Sequence, residues 1–167
     1  VTAKFKTPVG DLNSQLQATY MARQTYQQEQ GGAYFSDLGD NTNGALLYRW
    51  KGAFRNPLKM GPWVHTVAMN FVSGYTDAET TVEVLDSSGN ATGVEDIRLK
   101  VKPYYTFDWQ SQFALNNMLS FTLGVLNIAD KKPPLVLTTT GGQQVGYDGN
   151  LYDPRGRTWY GNVSLKF

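Results

Sequence analysis

Cysteine is absent from the 167 residues and histidine occurs once, at His65. The first absence removes disulfides and thiolate metal sites. The second leaves little room for imidazole acid–base chemistry. No apolar run approaches the roughly 18 residues that a membrane helix requires. Val1 leads into Lys4 and Lys6 without the apolar core of a signal peptide, so the chain is expected to be mature or cut from something larger. Neither sign of charge prevails, with 15 Lys and Arg against 14 Asp and Glu, so no nucleic-acid partner is expected. No P-loop, Gly-x-Ser-x-Gly, Ser/His/Asp order or close carboxylate pair stands out, and neither an enzyme nor a cofactor is expected.

What is present is aromatic and glycine-rich: 13% of residues are aromatic, Gly occurs 17 times, and only 17% of residues are charged. The mean hydropathy of −0.39 is compatible with a membrane barrel, which shows lipid only every second side chain. The length suits one domain. Period-two alternation runs through it. Leu12–Tyr26 carries Leu12, Leu16, Ala18 and Tyr20 against Asn13, Gln15, Gln17 and Thr19. Leu46–Arg55 sets Tyr48, Trp50 and Phe54 against Arg49, Lys51 and Arg55. Trp63–Tyr75 sets Trp63, His65, Val67, Met69, Phe71 and Tyr75 against small residues. Between Val101 and Leu115, Tyr105, Phe107, Trp109 and Phe113 alternate with Thr106, Asp108, Gln110 and Gln112. Met118–Asn127 and Arg157–Phe167 complete the series, and Val1–Lys6 reads as the tail of an earlier strand. No stretch has a convincing 3.6-residue period.

The connections alternate in length. Those near Thr7–Asp11, Asn56–Pro62 and Leu115–Asn117 are short; those near Gln27–Gly44, Thr76–Asp96 and Ile128–Gly156 are long. A membrane barrel sorts its connections this way, with tight periplasmic turns and long external loops. The last strand then descends to the periplasmic rim. Read as one strand, Trp63 to Tyr75 spans roughly 40 Å, or about 28 Å of height at a tilt of about 45°. The expected fold is therefore all-β: an antiparallel meander of about 6–7 strands, part of a large transmembrane β-barrel.

The C-terminal third adds motifs. Val125-Leu126-Asn127-Ile128-Ala129-Asp130-Lys131-Lys132-Pro133-Pro134 resembles the Asn-Leu-Phe-Asp-x-x-Pro segment near the end of TonB-dependent outer-membrane receptors, with Ile128-Ala129 where Leu-Phe is usual. Tyr152-Asp153-Pro154-Arg155-Gly156-Arg157-Thr158-Trp159-Tyr160 resembles the family's entry into its last strand. Trp159, Val163, Leu165 and Phe167 resemble the C-terminal outer-membrane assembly signal. Gly61-Pro62-Trp63 and Val72-Ser73-Gly74-Tyr75-Thr76-Asp77 also look like strands of this family. The residues have a physical reading as well. Asn127 and Asp130 can bond nearby backbone and stop a ladder, Pro133-Pro134 cannot continue one, and Gly156 permits a positive φ.

The resemblance implies that residues 1–167 are the C-terminal portion of a receptor barrel in the bacterial outer membrane, importing a siderophore, haem, cobalamin, another metal chelate or a glycan. It implies as partners the transported ligand, outer-membrane lipid, the rest of the barrel and its plug, TonB through an N-terminal region not seen here, and the barrel-assembly machinery. Six or seven strands cannot close a barrel of about 22, so the chain is expected to be one piece of an assembly. Tyr34, Phe35, Tyr147 and Tyr152 are candidate loop aromatics for stacking on a ligand, or for packing the loops themselves. Arg23, Arg49, Lys51 and Arg55 are candidate lumen-facing cations that steer an anionic ligand, pair with plug carboxylates or stay hydrated.

Other readings are weaker. His65, beside Trp63, suits an interfacial position better than a metal site. Asp86, Ser88 and Asn90 have oxygen spacing that invites calcium, but Ala91 and Ile97 stand where an EF-hand needs Gly and Glu. Asp86-Ser87-Ser88-Gly89-Asn90 reads better as a turn between two short extended arms. The alternatives of another class are a soluble all-β binding or adhesion module and a different outer-membrane porin. The soluble module would bury Tyr105, Phe107, Trp109, Leu119, Phe121, Leu123, Val163 and Leu165 in a two-layer core. A barrel would present them outward, with Gln110 and Gln112 on the other face.

Overall fold

The computed structural model of the chain describes residues 1–137 and 146–166. Phe167, expected to end the outward row, lies outside the described residues. The elements are β1 (Thr2–Thr7), β2 (Gly10–Tyr20), β3 (Tyr26–Gln27), β4 (Tyr34–Phe35), β5 (Trp50–Met60), β6 (Trp63–Val72), β7 (Tyr75–Leu85), β8 (Ala91–Val101), β9 (Tyr104–Ala114), β10 (Leu119–Leu126) and β11 (Thr158–Leu165). Seven of them form one antiparallel sheet in the order β1-β2-β5-β6-β9-β10-β11. Each sheet strand pairs with the next one along the chain, so the sheet is a meander. The pairs β3–β4 and β7–β8 form separate two-stranded ribbons within the first two long connections.

Successive side chains of a strand point to opposite faces, and the register carries the alternation across the sheet. One face holds the rows Trp63–Phe113–Phe121–Val163 and Val67–Trp109–Val125–Trp159. The other holds Thr66–Gln110–Gly124–Tyr160. The apolar face is open: Trp159 is 62% exposed and Val163 63% exposed, and Tyr105, Phe107, Phe121, Leu123 and Leu165 are exposed with them. Among the described residues no second layer covers this face, so the two-layer core of a soluble module is not formed. Gln110 and Gln112 lie on the polar face, as the alternation requires. There the Tyr160 ring lies over Gly124 and its hydroxyl donates to Gln110 Oε1 at 2.9 Å.

Several strand bounds differ from the sequence reading. The strand read from Leu12 to Tyr26 ends at Tyr20, and the one read from Leu46 starts at Trp50. The strand starting at Trp63 ends at Val72, because Tyr75 opens a different element. Its 10 residues span roughly 33 Å, or about 23 Å of height at a 45° tilt, close to an apolar band of about 25 Å. The connection placed at Asn56–Pro62 is only the Gly61-Pro62 turn, since β5 continues through Pro57. Pro57 pairs with Thr66 on β6. On the other side the ladder to β2 skips it, passing from Leu12–Leu58 to Gln15–Arg55. Proline has no N–H to give there, and the Ser14 hydroxyl donates to Asn56 Oδ1 at 2.7 Å in that gap.

The long loop expected at Thr76–Asp96 is a hairpin whose register shifts between Thr76 and Glu79 and between Val84 and Leu85, and its arms are longer than the short ones expected, at 11 residues each. Its tip is the expected turn: Asp86 Oδ1 accepts the N–H groups of Ser88 and Asn90 at 2.8 and 2.9 Å. The buried core lies off the sheet, where the long connections meet. Tyr75, Val101, Val136 and Tyr152 form its centre, with Leu46, Tyr48, Val72, Tyr104, Tyr147 and Leu151 packed around them.

Candidate functional site

Two neighbouring rows of the polar face end beneath the long connections. The first reads Thr19–Lys51–Val72–Tyr104 and the second Gln17–Ala53–Asn70–Thr106. They floor a cleft of about 320 Å³, walled by Leu151 and Tyr152. The small Ala53 leaves the space, and the longer Lys51, Gln17 and Asn70 border it. A smaller hollow beside it is lined by Gln15, Gln17, Ala53 and Arg55. Asp108 lies in the next row toward the sheet centre, but both its oxygens are engaged. Asn70 Nδ2 donates to Oδ2 and the Asn127 N–H to Oδ1, each at 2.8 Å. Among the described residues neither Lys51 nor Arg55 has a carboxylate within ion-pair distance. The cleft therefore sets the cation Lys51, two amides and hydroxyls into a largely apolar lining, with Arg55 in the hollow beside it, and these donors suit anionic, oxygen-bearing groups of a ligand.

The wall of the cleft is held by the two motifs read in the C-terminal third. Asn127, at φ +50°, closes a turn on Lys131: its Oδ1 accepts the Lys131 N–H and its Nδ2 donates to the Lys131 carbonyl, both at 2.9 Å. Asp130 Oδ1 accepts the Arg157 N–H at 2.9 Å, and Arg157 Nε donates to the Ile128 carbonyl at 2.8 Å. Gly156, at φ +71°, lies against that carboxylate, and a Cβ there would collide with Asp130 Oδ1. The N–H of Arg157 and the cation Lys132 hold the Asp130 carboxyl below its ordinary range. Two motifs 27 residues apart thus form one clasp. It brings Leu151 and Tyr152 over the sheet, where the Tyr152 ring meets Tyr104 edge-on at 5.1 Å.

The other long connections are tied to this wall through Asp77, which is fully buried. Its Oδ1 accepts from Asn41 Nδ2 at 3.4 Å and its Oδ2 from the Leu137 N–H at 3.0 Å. Arg98 binds both oxygens of Asp40 at 2.8 and 2.9 Å. Burial raises the Asp40 pKa, but bonds from Thr42 and Arg98 outweigh it and leave the carboxyl below its ordinary value. Burial pushes the phenols of Tyr48, Tyr75 and Tyr152 well above their usual range. These rings stay neutral and act as packing.

The residues singled out from sequence separate accordingly. Lys51 and Arg55 fall on the polar face of β5, and Arg49 precedes that strand in the same phase. Arg23 lies beyond the end of β2, in the first long connection, rather than on a strand. Tyr152 is 4% exposed, so it packs the loops and presents no free ring. Tyr147 leans on the same core, while Tyr34 and Phe35 form β4 and are exposed. Trp159, Val163 and Leu165 share the outer face. Gln17, Thr19, Asn70, Tyr104 and Thr106 were not singled out, although all have polar-face phase. Only the register shows that they converge. Among the described residues no cluster of three or more His, Asp or Glu is placed to hold a metal ion.

A long-stranded meander with one open apolar face, one polar face and connections sorted by length is a sector of a large β-barrel. A solved structure bears this out. The chain superimposes, over 99% of its residues, on a mutant of the ferric enterobactin receptor from Pseudomonas aeruginosa, with a TM-score of 0.57 and 20% sequence identity. It spans 21% of that receptor's length. The likeness is one of fold. No family model and no curated protein matches the chain.

Proposed function

We propose that this chain is wall and external loop of a TonB-dependent receptor in the bacterial outer membrane, and that the whole protein imports a scarce ligand. The observation that carries the reading is the single-layer sheet with an open aromatic and aliphatic face, which lipid would cover. The C-terminal motifs and the receptor fold support it. In this reading the polar face lines the lumen and the long connections lie outside. Lys51 and Arg55, with Gln17 and Asn70 beside them, meet an anionic ligand such as a metal chelate on its way inward. TonB acts on a part of the protein beyond this segment, whereas the assembly machinery acts through its C-terminal strand, at Trp159, Val163, Leu165 and Phe167.

The test uses the whole receptor in cells that depend on it for uptake of one candidate chelate. Lys51→Glu should weaken binding about tenfold or more, as expected when a charged hydrogen bond of about 1.5–3 kcal/mol is lost. Lys51→Arg should retain most of it. A protein absent from the outer-membrane fraction would sink the reading.

A further inference from the structure

At the loop end of the outer face, Lys131 Nζ lies 3.2 Å from the centre of the exposed Tyr105 ring. Arg157 immediately precedes β11 in phase with Trp159, and is anchored to the Ile128 carbonyl. Both cations therefore sit on the apolar side of the sheet, at its rim. The neighbouring carboxylates are already matched, Asp130 by Lys132 at 3.2 Å and Asp153 by Arg155 at 2.6 Å. Among the described residues neither the Lys131 ammonium nor the Arg157 guanidinium forms an ion pair, although the Asp130 carboxylate accepts the Arg157 N–H and lies close by.

Below them the apolar face is not smooth. The row His65–Ser111–Leu123–Gly161 contains two small residues. They leave a groove of about 630 Å³ bordered by Trp109, Phe121, Leu123 and Val163. Gly161 lies four residues along from Arg157, roughly 13 Å of strand and about 9 Å of height at a 45° tilt. On β9, Ser111 lies six residues along from Tyr105, roughly 20 Å of strand and about 14 Å of height, so the groove lies at the depth of the lower part of an acyl chain whose headgroup is at the rim.

We infer that this β9–β10–β11 sector binds one phosphate-bearing lipid of the outer leaflet, with its headgroup at Lys131 and Arg157 and one acyl chain in the groove at Gly161. The inference rests on the membrane reading above. Charge complementarity selects an anionic headgroup, and the loop-end position selects the outer leaflet. Cations near a membrane surface each contribute a few-fold to such binding, and the chain adds apolar burial.

The test is native mass spectrometry of the whole receptor, purified in mild detergent and offered diphosphoryl lipid A or zwitterionic phosphatidylethanolamine. Wild type should retain the first in preference to the second. Lys131→Gln should lower that retention about fivefold. Gly161→Leu should fill the groove and lower it as well, without unfolding the sheet, since a Cβ there meets only the Thr122 carbonyl at 3.8 Å. Equal retention of both lipids, or equal retention by wild type and both variants, overturns the inference while the receptor reading stands. A protein that never reaches the membrane overturns the receptor reading instead.

Discussion

The sheet and the loop cluster are stabilised in different ways. The sheet is rich in ladder hydrogen bonds yet has no core of its own: one face is open and apolar, the other polar. The cluster has only two-stranded ladders yet contains Tyr75, Val101, Val136 and Tyr152 in a packed interior, and a fully buried carboxylate at Asp77. Backbone pairing alone therefore does not mark where a soluble-type core lies. The sheet depends on its surroundings to cover its outer face. The loops carry their own interior and can hold a fixed shape over the lumen.

The sharpest break in this comparison is Tyr152→Ala in the whole protein. Removing a buried aromatic costs about 3–5 kcal/mol, and here that cost should fall on the cluster alone. Hydrogen exchange should speed up at residues 37–47 and 75–77 while β9, β10 and β11 keep their protection. Equal loss in both regions would join what the structure separates. Next in size is Gly124→Val on the sheet, where the new Cβ meets the Tyr160 ring. Overpacking of this kind costs about 1–3 kcal/mol. Adding Tyr160→Ala should recover much of it, and a double-mutant cycle measures the coupling.

The smallest effect concerns the Arg98–Asp40 tie between the first long connection and the β7–β8 ribbon. The Asp40 carboxyl is held below its ordinary value. Its contribution is therefore complete above the unfolded pKa of about 3.9 and is lost as pH falls through the lower folded value. Both side chains are about a third exposed, so the effect should stay below about 1 kcal/mol. Proteolysis of the 21–49 connection should rise slightly below about pH 4, and Asp40→Asn should flatten that dependence.

Much of this was legible in the chain itself. Period-two alternation assigned Tyr105, Phe107 and Trp109 to one face and Gln110 and Gln112 to the other, because side-chain direction in a strand follows from residue number alone. The parity of connection lengths and the local chemistry of Asn127, Asp130 and Gly156 were readable for the same reason: each depends on near neighbours. Tertiary structure decided the rest. It moved Tyr75 from a strand's outer face into a loop core, since alternation does not say where a strand stops and a ribbon begins. It turned Tyr152 from a candidate binding ring into packing, joined two motifs into a clasp through Asp130 and Arg157, and brought Gln17, Lys51, Asn70 and Thr106 together. Those outcomes depend on register and on contacts between distant segments, and periodicity carries no information about either.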